Sequence, residues 1–233
     1  SAATQQPRRY RCRYERTGQG ALLGHLELIQ TFVRAMRKAR ISMQFSQGFN
    51  PHPRISFGPA LPIGVESHME FFDVYLNTPL YPEKIQQRLN SLLPPGLRIH
   101  EVIEIPLRIP PLSVGMEKNR FLIDRTTLHT TCGLKSEEII ARSRRFLQSE
   151  SFCVTRRGKK GPRVTDIRPS VEDVSTDDKG NLEILVRCGE GGLGPIEAVT
   201  FILGIPAKDA RRLRIVKTGF AFRGAQEERC PAN

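Results

Sequence analysis

The chain has 233 residues, 39% hydrophobic and 26% charged, enough for one large or two small cored domains. No apolar run approaches the roughly 18 residues of a membrane span, and the start SAATQQPRRY has no apolar signal region, so neither export nor membrane anchorage is expected. The formal net charge of +12 directs attention to polyanions, nucleic acid before anionic membrane.

Residues 10–16 alternate Tyr10, Cys12 and Tyr14 against Arg11, Arg13 and Glu15, and period two predicts a strand with one buried face. A Gly-rich turn follows at 17–20. Leu26, Ile29, Val33 and Met36 then recur at helical spacing with Phe32 beside them. Gly24 is the expected N-cap of this helix, and Glu27 stands three residues on, where a capping-box carboxylate reaches back. Residues 41–45 read as a short strand, 54–63 as partly extended, and 70–76 as a β-rich strand. Pro82 opens a helix carrying Ile85, Leu89 and Leu92, which Pro94, Pro95 and Gly96 end. Residues 97–105 alternate again, as Leu97, Ile99, Glu101, Ile103 and Ile105. The order is β-α-β-β-α-β, the split βαβ of a ferredoxin-like domain over residues 8–105.

A Pro-rich seam at 106–111 leads into a second round, over 112–223. It comprises a strand at 120–125 and a helix at 136–147 with Ser136 as cap and Glu137 and Glu138 in its first turn. Extended segments at 152–156 and 164–169 flank the run RRGKKGPR. A strand at 182–187 follows the turn Asp177, Asp178, Lys179, Gly180. A helix opened by Pro195 and Glu197 breaks at 204–206 and resumes over 207–213, and a strand at 215–222 closes the pattern. The expected fold class is α+β, with two tandem ferredoxin-like domains duplicated in element order and not in residue-level repeat.

The five cysteines, Cys12, Cys132, Cys153, Cys188 and Cys230, are scattered, and no two sit two or three residues apart. That spacing gives no zinc knuckle or cluster motif, and the expectation is reduced, mostly buried thiols in a cytosolic protein.

The segments LLGHLELIQTFVRAMRKA and SQGFNPHPRISFGPALPIGVESHMEFFDV closely resemble the bacterial radical-SAM-linked proteins. The domain of that family has no established activity and is often fused to, or encoded beside, a radical SAM enzyme. The likeness spans about residues 8–105 and, more loosely, 106–222, where TDIRP and the Lys/Arg loop before it fit. Gly24 stands where the family usually has Ser, and Glu27 where it usually has Asp, both at the helix cap. The resemblance implies a cytoplasmic bacterial protein working as an accessory module with a radical SAM protein, in cis or in trans. The three closely spaced cysteines of the radical SAM cluster are absent, so the chain is not expected to perform that chemistry itself. The doubled βαββαβ order also resembles the tandem ferredoxin-like endoribonucleases that process CRISPR repeats, a likeness of architecture alone.

Residues 46–64, SQGFNPHPRISFGPALPIG, form the loop that most needs an explanation. Gly48 and Gly58 open backbone conformations closed to other residues, while Pro51 and Pro53 stiffen the chain around His52. One reading is a loop that packs Phe49 and Phe57 onto the domain. The other is a preorganised binding edge, with Asn50, His52 and Arg54 as donors and Phe49 or His52 stacking on an unpaired base.

On the helix before this loop, Arg34, Arg37 and Lys38 make a basic face. His25 falls in its first turn, where the dipole disfavours imidazolium and leaves the neutral ring a general base needs. With His52 as acid, His25 would give a metal-independent endoribonuclease; a packing or capping role is the plainer alternative. His68, His100 and His129 have no ligand-like spacing and read as ordinary strand or surface residues. Arg156, Arg157, Lys159, Lys160 and Arg163 read either as a phosphate clamp or as a solvated hairpin tip. Lys208, Arg211, Arg212, Arg214 and Lys217 form a second basic group, in which 208, 211 and 212 share a helical face. Glu70 and Asp73 lie on opposite faces of one strand and make a poor catalytic pair; Asp177 and Asp178 read as turn chemistry.

No Walker, Rossmann or metal motif is present, and no cofactor or metal is expected. The expected function is an RNA-binding, substrate-recognition module for a radical SAM partner, with ribosomal or transfer RNA as ligand. An endoribonuclease and a protein-binding adaptor are the alternatives.

Overall fold

In the computed structural model, which describes residues 7–158, 161–189 and 192–230, strand β1 (Arg8–Arg16) turns Tyr10, Cys12 and Tyr14 into a core and leaves its other face to arginines. The protein is mixed α/β and divides into two compact units, one ending at Met116 and the other beginning at Glu117.

The first unit continues through α1 (His25–Lys38), β2 (Ile55–Phe57), β3 (Glu66–Leu76), α2 (Pro82–Asn90), β4 (Leu97–Ile105) and the short α3 (Leu112–Gly115). Its strands lie in the order β4-β1-β3-β2, each neighbour antiparallel. Tyr14, Phe32, Phe57 and Phe72 form an aromatic cluster under α1, with ring centroids 4.9 Å apart for Tyr14–Phe32 and 4.8 Å for Phe32–Phe72. Such contacts add to the area that the rings bury.

Phe32 sets the rotation of α1. The buried stripe is Leu28, Phe32, Ala35 and Met36, and Leu26 from the stripe expected in the sequence is 73% exposed. Gly24 is the N-cap, and its N–H donates to Glu27 Oε2 at 2.7 Å, the half of a capping box that a glycine can make. Between β1 and α1, Thr17 N donates to the Gly96 carbonyl at 2.8 Å. A Cβ on Gly20 would lie 2.2 Å from that same oxygen, so the close approach requires glycine.

Three expectations for this unit fail for identifiable reasons. Residues 41–45 make only isolated bridges, Met43 to Leu76 and Phe45 to Pro53; Pro53 has no N–H with which to extend a ladder. In β4 the pairing steps from Tyr14–Ile99 to Arg13–Glu101, so His100 is an extra residue, a bulge. The inward set is therefore Leu97, Ile99, Val102 and Ile105, and Ile103 faces out. Leu92 lies beyond the end of α2 and is 41% exposed.

The second unit contains β5 (Met116–Ile123), α4 (Arg125–Cys132), α5 (Ser136–Gln148), β6 (Cys153–Gly158), β7 (Gly161–Asp166), β8 (Val171–Thr176), β9 (Leu182–Arg187), α6 (Pro195–Leu203), α7 (Ala207–Ala210), β10 (Ile215–Phe222) and β11 (Glu228–Arg229). Its sheet order is β10-β5-β9-β8, with β11 paired to β10. The segments flanking the basic run do not join that sheet: β6 and β7 pair with each other as a separate two-stranded ribbon.

The sheet position beside β9 is filled by β8, whose alternation is hidden by a bulge between Val171 and Asp173. The first strand stops at Ile123, because Asp124 caps α4 by accepting from Thr127 N–H at 2.8 Å. α4 itself escaped the sequence reading because only Leu128 is buried, so it shows no apolar stripe. Ser136 is the first helical residue of α5 and not its cap; the cap is Lys135, whose N–H donates to Glu138 Oε2 at 3.1 Å. α7 ends at Ala210, short of the expected 213. Of the five free thiols only Cys12 is buried, and Cys153 is exposed, so the expectation of mostly buried thiols does not hold. Among the described residues no helix is long and apolar enough to cross a membrane.

Candidate nucleic-acid interface

Loop 46–52 is built as a closed finger. Ser46 N–H donates to the His52 carbonyl at 2.8 Å, and His52 N–H returns to Ser46 Oγ at 3.0 Å. Below it, Arg54 N–H donates to the Gln44 carbonyl at 2.7 Å and Tyr75 N–H to the Arg54 carbonyl at 3.0 Å, which fixes the finger to β3. Gly48 sits at φ 134°, a conformation other residues rarely adopt. Phe49 is fully exposed at 106%, with Asn50 and His52 also exposed beside it. The packing alternative therefore holds for Phe57, which joins the aromatic cluster, and not for Phe49.

Arg54 spreads its guanidinium 3.9 Å above the Tyr75 ring and donates to Gln44 Oε1 at 2.5 Å. A cation held against an aromatic face is ordered without being neutralised. Arg34, Arg37 and Lys38 are exposed on α1, the last two in its final turn, where the dipole favours cations.

Among the described residues no contact joins the two histidines proposed as acid and base. The His25 ring packs edge-on to Phe57 with centroids 5.9 Å apart, and His52 is held through its backbone. His100 Nε2 instead lies 2.9 Å from Glu15 Oε2, and His68 Nδ1 lies 3.7 Å from the same oxygen. That trio depends on the bulge at His100, which the sequence does not signal. Among the described residues no group of three or more His, Cys, Asp or Glu is arranged to hold a metal ion.

In the second unit the basic groups divide. The Arg156 guanidinium is tied to Glu197 by two bonds, at 3.2 and 2.8 Å, and to the Gly192 carbonyl at 3.0 Å. In this arrangement it braces the ribbon against Glu197 and the Gly192 carbonyl. Arg163 is exposed; the Arg157 side chain and all of Lys159 and Lys160 lie outside the described residues. Lys217 is 1% exposed and leaves the second basic group, whereas Lys208, Arg211, Arg212 and Arg214 are exposed. Asp177 Oδ1 accepts from the N–H groups of Lys179 and Asn181 at 2.9 and 2.8 Å, as turn chemistry requires.

Two buried charge clusters were not anticipated. Asp73, with no exposed surface, accepts from Arg9 at 2.6 Å and Arg11 at 2.8 Å. Arg120 is gripped by Glu227 and by Glu183 at 3.1 Å. Both are bracing, with their donors and acceptors turned on each other. A cleft of about 420 Å³ in the first unit, between Arg9, Pro79, Glu104 and Pro106, has its Arg8 already bonded to Glu104 at 2.6 Å.

A search among curated proteins found no match. Over residues 9–194, a span that takes in the finger, α1 and the β6–β7 ribbon, the chain matches the family described as "Uncharacterized protein conserved in bacteria (DUF2344)", and it belongs to that family.

Proposed function

We propose that this chain is an RNA-binding, substrate-recognition module that acts in the cytoplasm beside a radical SAM enzyme. The observation that carries the RNA reading is the finger at 46–52: a large aromatic ring wholly in solvent on an ordered stalk. Exposing such a ring forgoes about 1.5–3 kcal/mol of burial, which contact with a partner surface would recover. Unpaired bases offer a flat π-face of that size, and Asn50, His52 and Arg54 stand alongside as donors. The excess of cations suits the phosphates. The radical SAM link rests on the resemblance of the α1 and finger sequences alone.

We read the two units, over residues 8–105 and 112–223, as ferredoxin-like domains. In support, each places its four main strands in the order last-first-third-second: β4-β1-β3-β2 and β10-β5-β9-β8. The β6–β7 ribbon and α4 are then insertions in the second. The endoribonuclease alternative is less favoured, since the His25 ring meets Phe57 and, among the described residues, neither His25 nor His52 makes an ion pair with a carboxylate.

The test is equilibrium binding of the purified chain to a labelled RNA stem-loop with an unpaired loop, beside Phe49→Ala. Loss of one stacked base is worth about 1–3 kcal/mol, so affinity should fall by a factor of about 5 to 150. Equal loss of affinity for a fully paired duplex would remove the stacking role. A chain that binds no RNA at low salt, yet captures a radical SAM protein, would make it an adaptor.

A further inference from the structure

The second unit matches many of its cations to carboxylates. Arg120, Arg142, Arg156, Arg187 and Arg229 all take glutamates. Arg125, Lys208, Arg211 and Arg212 are exposed and make no ion pair among the described residues.

Arg125 and the segment that carries the other three are distant in the chain and meet at α4. Segment 207–214 lies along α4: Arg214 N–H donates to Thr127 Oγ1 at 3.2 Å, and its carbonyl accepts from Asp124 N–H at 3.0 Å. At the other end of α4, the Cys132 thiol feels the charges of Asp209 and Arg212. Arg125 lies against the turn at 177–180, close enough that a Cβ on Gly180 would be 3.0 Å from its Cδ. Its N–H donates to Asn181 Oδ1 at 3.0 Å. On α4, Arg125, Thr126 and His129 point outward. Counting Lys179 and Arg214, the face holds six cations against Asp124, Asp177, Asp178 and Asp209, and Asp124 and Asp177 are turned onto backbone N–H groups.

We propose that this face, the outer side of α4 with segment 208–214, docks the phosphate backbone of an RNA strand. Guanidinium groups bind phosphate in a fixed two-pronged geometry, and those of Arg125, Arg211 and Arg212 make no ion pair among the described residues that would occupy it. Such contacts position a strand and carry no sequence information. The proposal rests on the RNA-binding reading but uses none of the residues of the finger.

The experiment measures affinity of the full chain for the labelled stem-loop across a salt series. Arg211→Gln with Arg212→Gln is compared with Arg144→Gln and Arg145→Gln, exposed cations of α5 that carry the same charge loss. Loss of two phosphate contacts should lower the log–log salt slope by about 1.4 to 1.8, equally for different loop sequences. The α5 variant should leave the slope as it is. Arg125→Gln, on a separate element, should lower it by about 0.7 to 0.9. A parent that binds with an unchanged slope in the 211/212 variant overturns this proposal and leaves the finger standing. An equal effect in the α5 variant overturns it too, because the charge would then act diffusely. A parent that binds no RNA overturns both.

Discussion

Asp73 has no exposed surface and still carries two arginines, Arg9 at 2.6 Å and Arg11 at 2.8 Å. Arg9 also donates to the carbonyls of Ile109 and Pro110, so one strand carboxylate fastens the Pro-rich seam to the sheet. Desolvating these ions costs several kcal/mol each, and the cluster persists because the partners supply one another's bonds. Asp73→Ala leaves Arg9, 3% exposed, without its carboxylate and should cost about 3–5 kcal/mol. Urea titration should show a lower midpoint at unchanged slope; an unaltered midpoint would mean that Arg9 finds water instead. The sequence marked Asp73 only as a poor partner for Glu70. Alternation placed Arg11 on the polar face of β1 and did not reach Arg9, and nothing local says that residues 107–110 fold over that face. Phe49 was legible in part: the Gly and Pro around it announced a stiff loop, but not which of its two phenylalanines would stay in solvent.

The short β11 is held by a charge cluster more than by its two-residue ladder. Burial resists ionisation of the neighbouring Glu227, but the hydrogen bond and charge of Arg120, with Arg229, outweigh it and keep that carboxyl below its ordinary 4.5. A carboxyl depressed in the folded state stabilises above its unfolded value and loses that contribution as pH falls through the folded one. Stability should therefore decline as pH drops below about 4.5. Glu227→Gln should cost about 1 kcal/mol at neutral pH, because the carboxyl is partly solvated, and should flatten the acid limb. Urea midpoints for both proteins at neutral and acid pH test this; parallel curves would remove Glu227 from the acid response. Elements were legible where one periodicity ran unbroken, as in β1, or where an apolar run was bounded by turn and breaker residues, as in β9 and α6. The strand at 97–105 was legible, but the bulge at His100 hid which of its residues face inward; β8, with a bulge between Val171 and Asp173, and α4, with one buried leucine, were not legible.

At the scale of the whole molecule, a net charge of +12 says that a polyanion is attracted but not where it docks. Folding sorts the cations: Arg156 is spent on Glu197 and Lys217 is buried, while Arg54 lies on Tyr75 and Arg211 and Arg212 stay exposed. That sorting depends on long-range pairing and is invisible to a count of basic residues. The most direct measurement is the affinity of the intact chain for RNA over a range of salt concentrations. Binding through phosphates should be present at low salt and fall linearly in log K against log salt, by about 0.7 to 0.9 per phosphate neutralised, with several phosphates engaged. Absence of binding at the lowest salt, or binding indifferent to salt, would contradict an RNA-binding function for this protein.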